Sequence, residues 1–284
     1  MHLHHQCITA SPSAEWIVFF HGMGGDCSIF YKQLPAFQGH YNLLLIDLPG
    51  HGQSASLEGE EPVAFAARKV IALLEHLDLP PAHFMGVSLG TIVMQHVALL
   101  RPERIQSMVL AGAVHRFQPW GEWLVKRSLT FPLVHVLPPR AGYVLFAHIL
   151  LPRANHRASR DIFLRVSRGL RPADYRAWVS VAYLPERTYS QLARRTNTIP
   201  KLYVSGAQDH MFLPLLRGFV RDEARAELVV LPARGHVCNI EDAPQFNALA
   251  LDFFQRHGAH ARPALHAPRP AEGPHAGGDL VARL

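Results

Sequence analysis

Six short apolar runs punctuate the chain, each closed by glycine, proline or aspartate: WIVFFHG (16–22), NLLLIDLPG (42–50), HFMGVSLG (83–90), SMVLAGA (107–113), KLYVSGAQD (201–209) and ELVVLPARGH (227–236). Unbroken runs rich in Val, Ile and Leu suit strands buried on both faces of a parallel sheet, where alternation with polar residues is not required. Helical patterns lie between them. Over residues 61–79, Val63, Ala67, Val70, Ile71, Leu74 and Leu77 recur at helix spacing until Pro80-Pro81 stops the pattern. Residues 89–100 and 243–256 read as helices too. Strands alternating with helices predict an α/β protein with a mostly parallel, doubly wound sheet.

The alternation fails between residues 114 and 198. Helical stretches are expected there around 120–130, 141–151, 157–169 and 172–183, without a convincing strand, so the segment reads as a helical insertion between two core strands. This divides the chain into a first core part (1–113), the insertion (114–198), a second core part (199–256) and a tail (257–284). The tail is dominated by Pro, Ala, Gly and His and is read as disordered. The insertion carries 14 Lys and Arg against 4 Asp and Glu, whereas the remaining residues carry 14 basic and 18 acidic groups. A strongly basic segment thus sits on a mildly acidic body.

Composition narrows the class. With 284 residues, 49% of them apolar and 18% charged, the chain is globular and can bury a large core. No apolar run approaches a membrane span, and the N-terminus lacks a charged region followed by an apolar stretch, so neither a transmembrane segment nor a signal peptide is expected. Cys7, Cys27 and Cys238 are too few and too scattered for a disulfide framework, which makes a reducing cytoplasm the default expectation. No internal repeat is visible, and no nucleic-acid partner is expected.

The chemistry centres on Gly86-Val87-Ser88-Leu89-Gly90. The pattern is weak alone and equally describes a tight turn, but here it falls where a strand ends and a helix begins. A strained strand-to-helix bend lifts a serine Oγ above the sheet. A serine hydroxyl is a poor nucleophile at neutral pH and needs a base, which in turn needs an orienting acid. Residues just beyond the carboxyl ends of parallel strands share one rim. Asp209 and His236 lie there, in the order Ser, Asp, His that this architecture uses. The run SMVLAGAVHRF offers no carboxylate that could replace Asp209. The competing readings are a loop aspartate that caps a turn and an incidental loop histidine, one of 19 in the chain. For a developing oxyanion, the N–H of Leu89 is one candidate donor, and the loop FFHGMGGD (19–26) offers Met23 as the second. That loop could instead be a flexible turn or a phosphate cradle, although neither G-x-G-x-x-G nor a P-loop lysine pattern is present.

Together these residues resemble the α/β-hydrolase family over roughly 16–113 and 199–256. The resemblance rests on His21-Gly22-Met23-Gly24, on DLPGHGQS (47–54), on the serine motif, and on Asp209 and His236. It implies that Asp47 and His51 are structural and that residues 114–198 form a helical cap over the site. It also implies an antiparallel hairpin before WIVFFHG, for which only fifteen residues remain, so that edge should be short or reduced. His2, His4 and His5 could bind a metal but read as a loose polar terminus. Cys238 reads as a small apolar filler, and His210 as a rim residue.

The function expected from these residues is that of a serine hydrolase acting on a small-molecule acyl substrate. Ser88 attacks a carbonyl, His236 takes its proton, Asp209 holds the imidazole, and Met23 and Leu89 stabilise the anion. No metal or organic cofactor is implied. A small or medium carboxylic ester or thioester is the first substrate class. Alternatives are a carbon–carbon hydrolase of a diketone-like acid, acyl transfer to another acceptor, and a non-catalytic ligand-binding protein of the same fold. The apolar stretch at 129–152 could line an acyl pocket or form the cap's own core. The basic insertion could draw an anionic or carrier-bound substrate, or serve solubility alone. The oligomeric state is not readable from the sequence.

Overall fold

The unbroken apolar runs become strands, and most of their side chains are buried. The computed structural model describes residues 3–57, 61–130, 139–182, 190–191 and 198–258. The tail from residue 259 onward, His2, and parts of the 114–198 insertion lie outside the described residues. In chain order the strands are β1 (His5–Ile8), β2 (Trp16–Phe20), β3 (Asn42–Ile46), β4 (Ala82–Val87), β5 (Ile105–Ala111), β6 (Lys201–Gly206) and β7 (Ala226–Leu231). They form one seven-stranded sheet in the order β1-β3-β2-β4-β5-β6-β7. β1 is antiparallel to β3, and every other pairing is parallel. Every residue of β3, β4 and β6 is buried, as expected where helices cover both faces.

The helices are α1 (Leu34–Phe37), α2 (Pro62–His76), α3 (Leu89–Leu100), α4 (Pro119–Thr130), α5 (Pro139–Leu150), α6 (Arg157–Val166), α7 (Pro172–Ala182), α8 (Leu213–Arg221), α9 (Cys238–Glu241) and α10 (Ala243–His257). α2 begins with Pro62 at its first position, and the Glu61 carboxylate accepts the orphan amides of Val63 and Ala64 at 3.2 and 2.8 Å. Its apolar stripe, Val63, Ala67, Val70, Ile71 and Leu74, is buried in the core. Each of the larger side chains contributes about 1.5–3 kcal/mol by leaving water. Helices α4 to α7 lie between β5 and β6 in the chain. Among the described residues no helix is long and apolar enough to cross a membrane.

The N-terminus corrects one expectation. His4 and His5 do not belong to a loose polar end. His5 pairs with Ile46 in the edge ladder, and His4 Nδ1 lies 2.8 Å from Asp47 Oδ2. The physical reason is the open edge of β3, whose backbone groups need partners. Four residues, HQCI, suffice to cover it, but they carry no apolar alternation by which a strand could be recognised.

Several polar groups are buried deep in the core. Lys201 is ion-paired to Glu223, Tyr203 donates to the same carboxylate at 2.6 Å, and Gln95 Nε2 donates to the Tyr203 hydroxyl at 3.0 Å. His51 and His83 are buried as neutral rings. Burial, followed by the nearby His21, pushes His51 down to about 3, and burial pushes His83 down to about 4. The unfolded chain therefore takes up these protons as the pH falls through 6.5, while the folded chain refuses them until about 3 to 4. Their contribution to stability is complete above pH 6.5 and is lost as the pH falls toward those folded values. Urea unfolding at pH 7.5 and pH 5 should reveal a loss on the order of 1–2 kcal/mol per histidine at the lower pH. Equal unfolding midpoints at both pH values would contradict the burial of these rings in neutral form.

Candidate active site

β4 ends at Val87 and α3 begins at Leu89, which leaves one residue, Ser88, to make the turn. Ser88 has φ 51° and ψ −115°, in the left-handed half of the map that a side chain adopts only under constraint. The constraint is local. Ser88 N–H donates to Ala111 of β5 at 3.0 Å, and the Ser88 carbonyl accepts the Thr91 amide at 2.9 Å and hydroxyl at 2.6 Å. Two residues later, Gly90 lets α3 pass directly beneath the end of β2. A Cβ there would lie 2.2 Å from the Phe20 carbonyl oxygen.

The other site residues arrive from strand ends on the same rim. Asp209 follows β6 and His236 follows β7, and both are essentially inaccessible to water. His236 Nε2 lies 2.9 Å from Ser88 Oγ, and His236 Nδ1 lies 2.8 Å from Asp209 Oδ2. The neutral imidazole that satisfies both contacts carries its proton on Nδ1, donates to Asp209 and accepts from the serine hydroxyl. Asp209 Oδ1 accepts the Phe212 amide at 3.3 Å, and the Phe212 ring packs on the imidazole with 5.0 Å between centroids. The fold thus brings Ser88, His236 and Asp209, far apart in sequence, into one hydrogen-bonded chain.

The loop after β2 reaches the same point. Gly22 and Met23 line the cavity at Ser88, and a Cβ on Gly22 would sit 3.3 Å from the serine Cβ. Leu89 is the first residue of α3, where amides have no partner within the helix. His21 braces the loop. Its Nε2 accepts the Leu48 amide at 2.9 Å, so Nδ1 carries the proton and donates to the Gly22 carbonyl at 2.8 Å. The cavity is completed by Ile29, Val87, His236, Val237 and Ile240 from the core and by Ser159, Ile162, Phe163 and Val166 along one face of α6.

DLPGHGQS braces this rim without entering it. Asp47 accepts the Cys27 and Gln53 amides at 2.8 and 2.9 Å. Burial works against its charge, but the Cys27 side chain, those amides and His21 together hold its carboxyl below the usual range. His4, Cys27 and Asp47 each bring one donor atom within 4.8 Å of the others. The Asp47 oxygens already accept hydrogen bonds, and burial with Asp47 alongside pushes the Cys27 thiol up. The cluster therefore fits a hydrogen-bonded brace better than a metal centre. Cys238 is buried with its thiol donating to the Val204 carbonyl, and His210 is exposed and stacks on Trp120.

Sequence reasoning missed the residues that tie the inserted helices to these loops. Asn155 donates to Gln208 and to the Ala233 carbonyl, and His156 Nε2 lies 2.8 Å from Gln208 Oε1, beside Asp209. Glu241 accepts the amide of Gly235, the neighbour of His236, at 2.6 Å. Trp178 donates to the Pro49 carbonyl, Arg171 bonds Asp174 and the Ser54 carbonyl, and Tyr143 donates to the Met23 carbonyl. Nothing in periodicity or spacing marks those in the insertion, because each acts through a contact with a loop distant in sequence.

A profile of the α/β-hydrolase fold matches residues 15–134. The chain is 29% identical over 243 residues to the dihydrolipoyllysine-residue acetyltransferase component of the acetoin cleaving system of Pseudomonas putida, covering 85% of this chain. It spans 64% of the length of that relative. It is 26% identical over 243 residues to 3-oxoadipate enol-lactonase 2 of Acinetobacter baylyi, covering 81% of this chain and 85% of that one. A solved hydrolase from Pseudomonas aeruginosa superimposes with a TM-score of 0.70 at 28% identity, covering 88% of this chain and 93% of that one. The chain has the α/β-hydrolase fold.

The close passage beneath β2 can be tested away from the chemistry. Gly90→Ala should lower the thermal midpoint, because forcing a methyl against backbone costs about 1–3 kcal/mol or more. An unchanged midpoint by circular dichroism would contradict the close passage of α3 beneath β2.

Proposed function

We propose that this protein is a hydrolase that cleaves a small carboxylic ester or thioester through an acyl-enzyme on Ser88. The observation that carries the reading is the continuous hydrogen-bonded chain Ser88–His236–Asp209 opening on a cavity lined by Met23. Ser88 Oγ attacks the carbonyl carbon as its proton passes to His236 Nε2, and the imidazolium is stabilised by the Asp209 carboxylate. The amides of Met23 and Leu89 donate to the oxyanion of the tetrahedral intermediate. Collapse breaks the bond to the leaving alkoxide or thiolate, which takes the proton from His236. Water, deprotonated by His236, then attacks the acyl carbon, and the carboxylic acid leaves as Ser88 regains its proton.

The lining favours a small, neutral, apolar acyl group. Ile29, Ile162, Phe163, Val166, Val237 and Ile240 surround the serine and leave only a small cavity beside it. None of the described lining residues is cationic. Arg157, Arg165 and Arg168 are exposed, Arg160 donates to the Leu151 carbonyl, and Arg171 is engaged by Asp174. A diketone-like acid or another anionic substrate would need a cation beside the serine, so this arrangement favours the ester reading.

The test is hydrolysis of p-nitrophenyl esters of increasing acyl length by the full chain and by Ser88→Ala, together with labelling by a fluorophosphonate. Activity should be highest for short acyl groups. Ser88→Ala should fold, should not label and should lose on the order of a millionfold in kcat. Substantial residual turnover by the folded variant would overturn the assignment.

Asp209→Asn should keep the fold and cost on the order of 10⁴ in kcat, because the amide leaves the imidazole in the wrong tautomer. Near wild-type steady-state rates for this variant would assign the orienting acid elsewhere.

A further inference from the structure

A glycine-rich loop that must hold a hydrogen-bond donor faces a specific difficulty. Glycine loses more conformational freedom on ordering than any other residue, so the segment HGMGGD stays in one shape only if its backbone is held from outside. One end of Met23 is held within the loop. The Gly22 carbonyl accepts from both His21 Nδ1 at 2.8 Å and the Gly25 amide at 3.0 Å, which fixes the peptide whose other end is the Met23 N–H. The other end of Met23 is held from the inserted helices. The Tyr143 hydroxyl, carried on α5, donates to the Met23 carbonyl at 2.8 Å.

The fit around this contact is close. Tyr143 is only 2% exposed. Its ring stacks on Phe163, which lines the cavity, with centroids 4.7 Å apart and planes within 16°, and Tyr175 meets it edge-on. Gly24, at φ +74°, leaves open the space that the phenol occupies, since a Cβ there would lie 2.5 Å from the Tyr143 oxygen. Burial, with Tyr175 adding to it, pushes the phenol well above its ordinary titration range, so it remains a donor wherever the enzyme is assayed.

We propose that Tyr143 is a positioning residue for the oxyanion donor: by holding the Met23 carbonyl it fixes the direction of the Met23 N–H. This rests on the reading in which that amide receives the oxyanion. The donor is then aligned only while α5 sits over the loop. Phe163, which lines the cavity, stacks on Tyr143, and the Tyr143 hydroxyl holds the Met23 carbonyl. The inserted helices thereby help build the transition-state site as well as wall the pocket.

The experiment is Tyr143→Phe in the full chain, assayed with p-nitrophenyl butyrate and with two ligands: butylboronic acid, which forms a tetrahedral adduct on the serine, and butyrate. Complete loss of one oxyanion donor costs on the order of 10²–10³ in kcat, and loosening one should cost about 10–10². KM and butyrate affinity should stay within about twofold of wild type, while boronic acid affinity falls by the same factor as kcat, the signature of an interaction made only in the transition state. The thermal midpoint checks the fold. Should Tyr143→Phe not fold, Gly24→Ala, which pushes the phenol off Met23, is predicted to give the same paired loss.

A kcat and boronic acid affinity equal to wild type, or a loss confined to KM or to the melting point, overturns the proposal. Ser88→Ala, run beside it, keeps the two readings apart. If Ser88→Ala remains active, the assignment of the nucleophile fails. If Ser88→Ala is dead and the phenylalanine variant is unimpaired, only the role of Tyr143 fails.

Discussion

The structure depends on one strained residue. Ser88 carries a side chain at φ 51°, a conformation that costs on the order of 1–3 kcal/mol and persists only where its surroundings leave no alternative. β4 is locked between β2 and β5, α3 starts immediately, and the Ser88 amide and carbonyl are both bonded. Gly90 allows α3 to turn under Phe20 without collision. Once that bend is fixed, the hydroxyl stands above the sheet at the rim to which β6 and β7 deliver Asp209 and His236. Only the strand order and the parallel pairing are needed to complete the set.

The inserted helices belong to the same mechanical unit. They bond the loop after β2 through Tyr143, the loop after β3 through Trp178 and Arg171, and the loops carrying Asp209 and His236 through Asn155 and His156. Each contact pairs a polar side chain with a backbone carbonyl or an amide side chain, so it fixes direction as well as distance. Among the described residues, most arginines of this segment are exposed or engaged locally, which separates its charge from the apolar wall it turns toward Ser88.

Much of this was legible in the chain because it depends on short-range pattern. The six apolar runs are strands, α3 covers the residues its periodicity predicts, and Ser88, Asp209 and His236 fall at strand ends where topology alone makes them neighbours. What was not legible depends on pairing between distant segments. The four residues of β1 have no pattern of their own and become a strand only because β3 offers an edge. Lys201 reads as the polar start of a strand, yet it is buried because Glu223 meets it there. Tyr143 looks like any apolar helix residue until the Met23 carbonyl is seen beneath its hydroxyl.

Acylation of Ser88 during turnover, as proposed above, can be followed by rapid mixing. On mixing with excess p-nitrophenyl ester, a burst approaching one equivalent of nitrophenol per chain is expected when deacylation is the slower step. Acid quenching within that burst, followed by proteolysis and mass spectrometry, should find the acyl mass on the peptide containing Ser88. An acyl group on any other residue, or hydrolysis with no adduct at any quench time and with solvent oxygen entering the product in a single step, would contradict it.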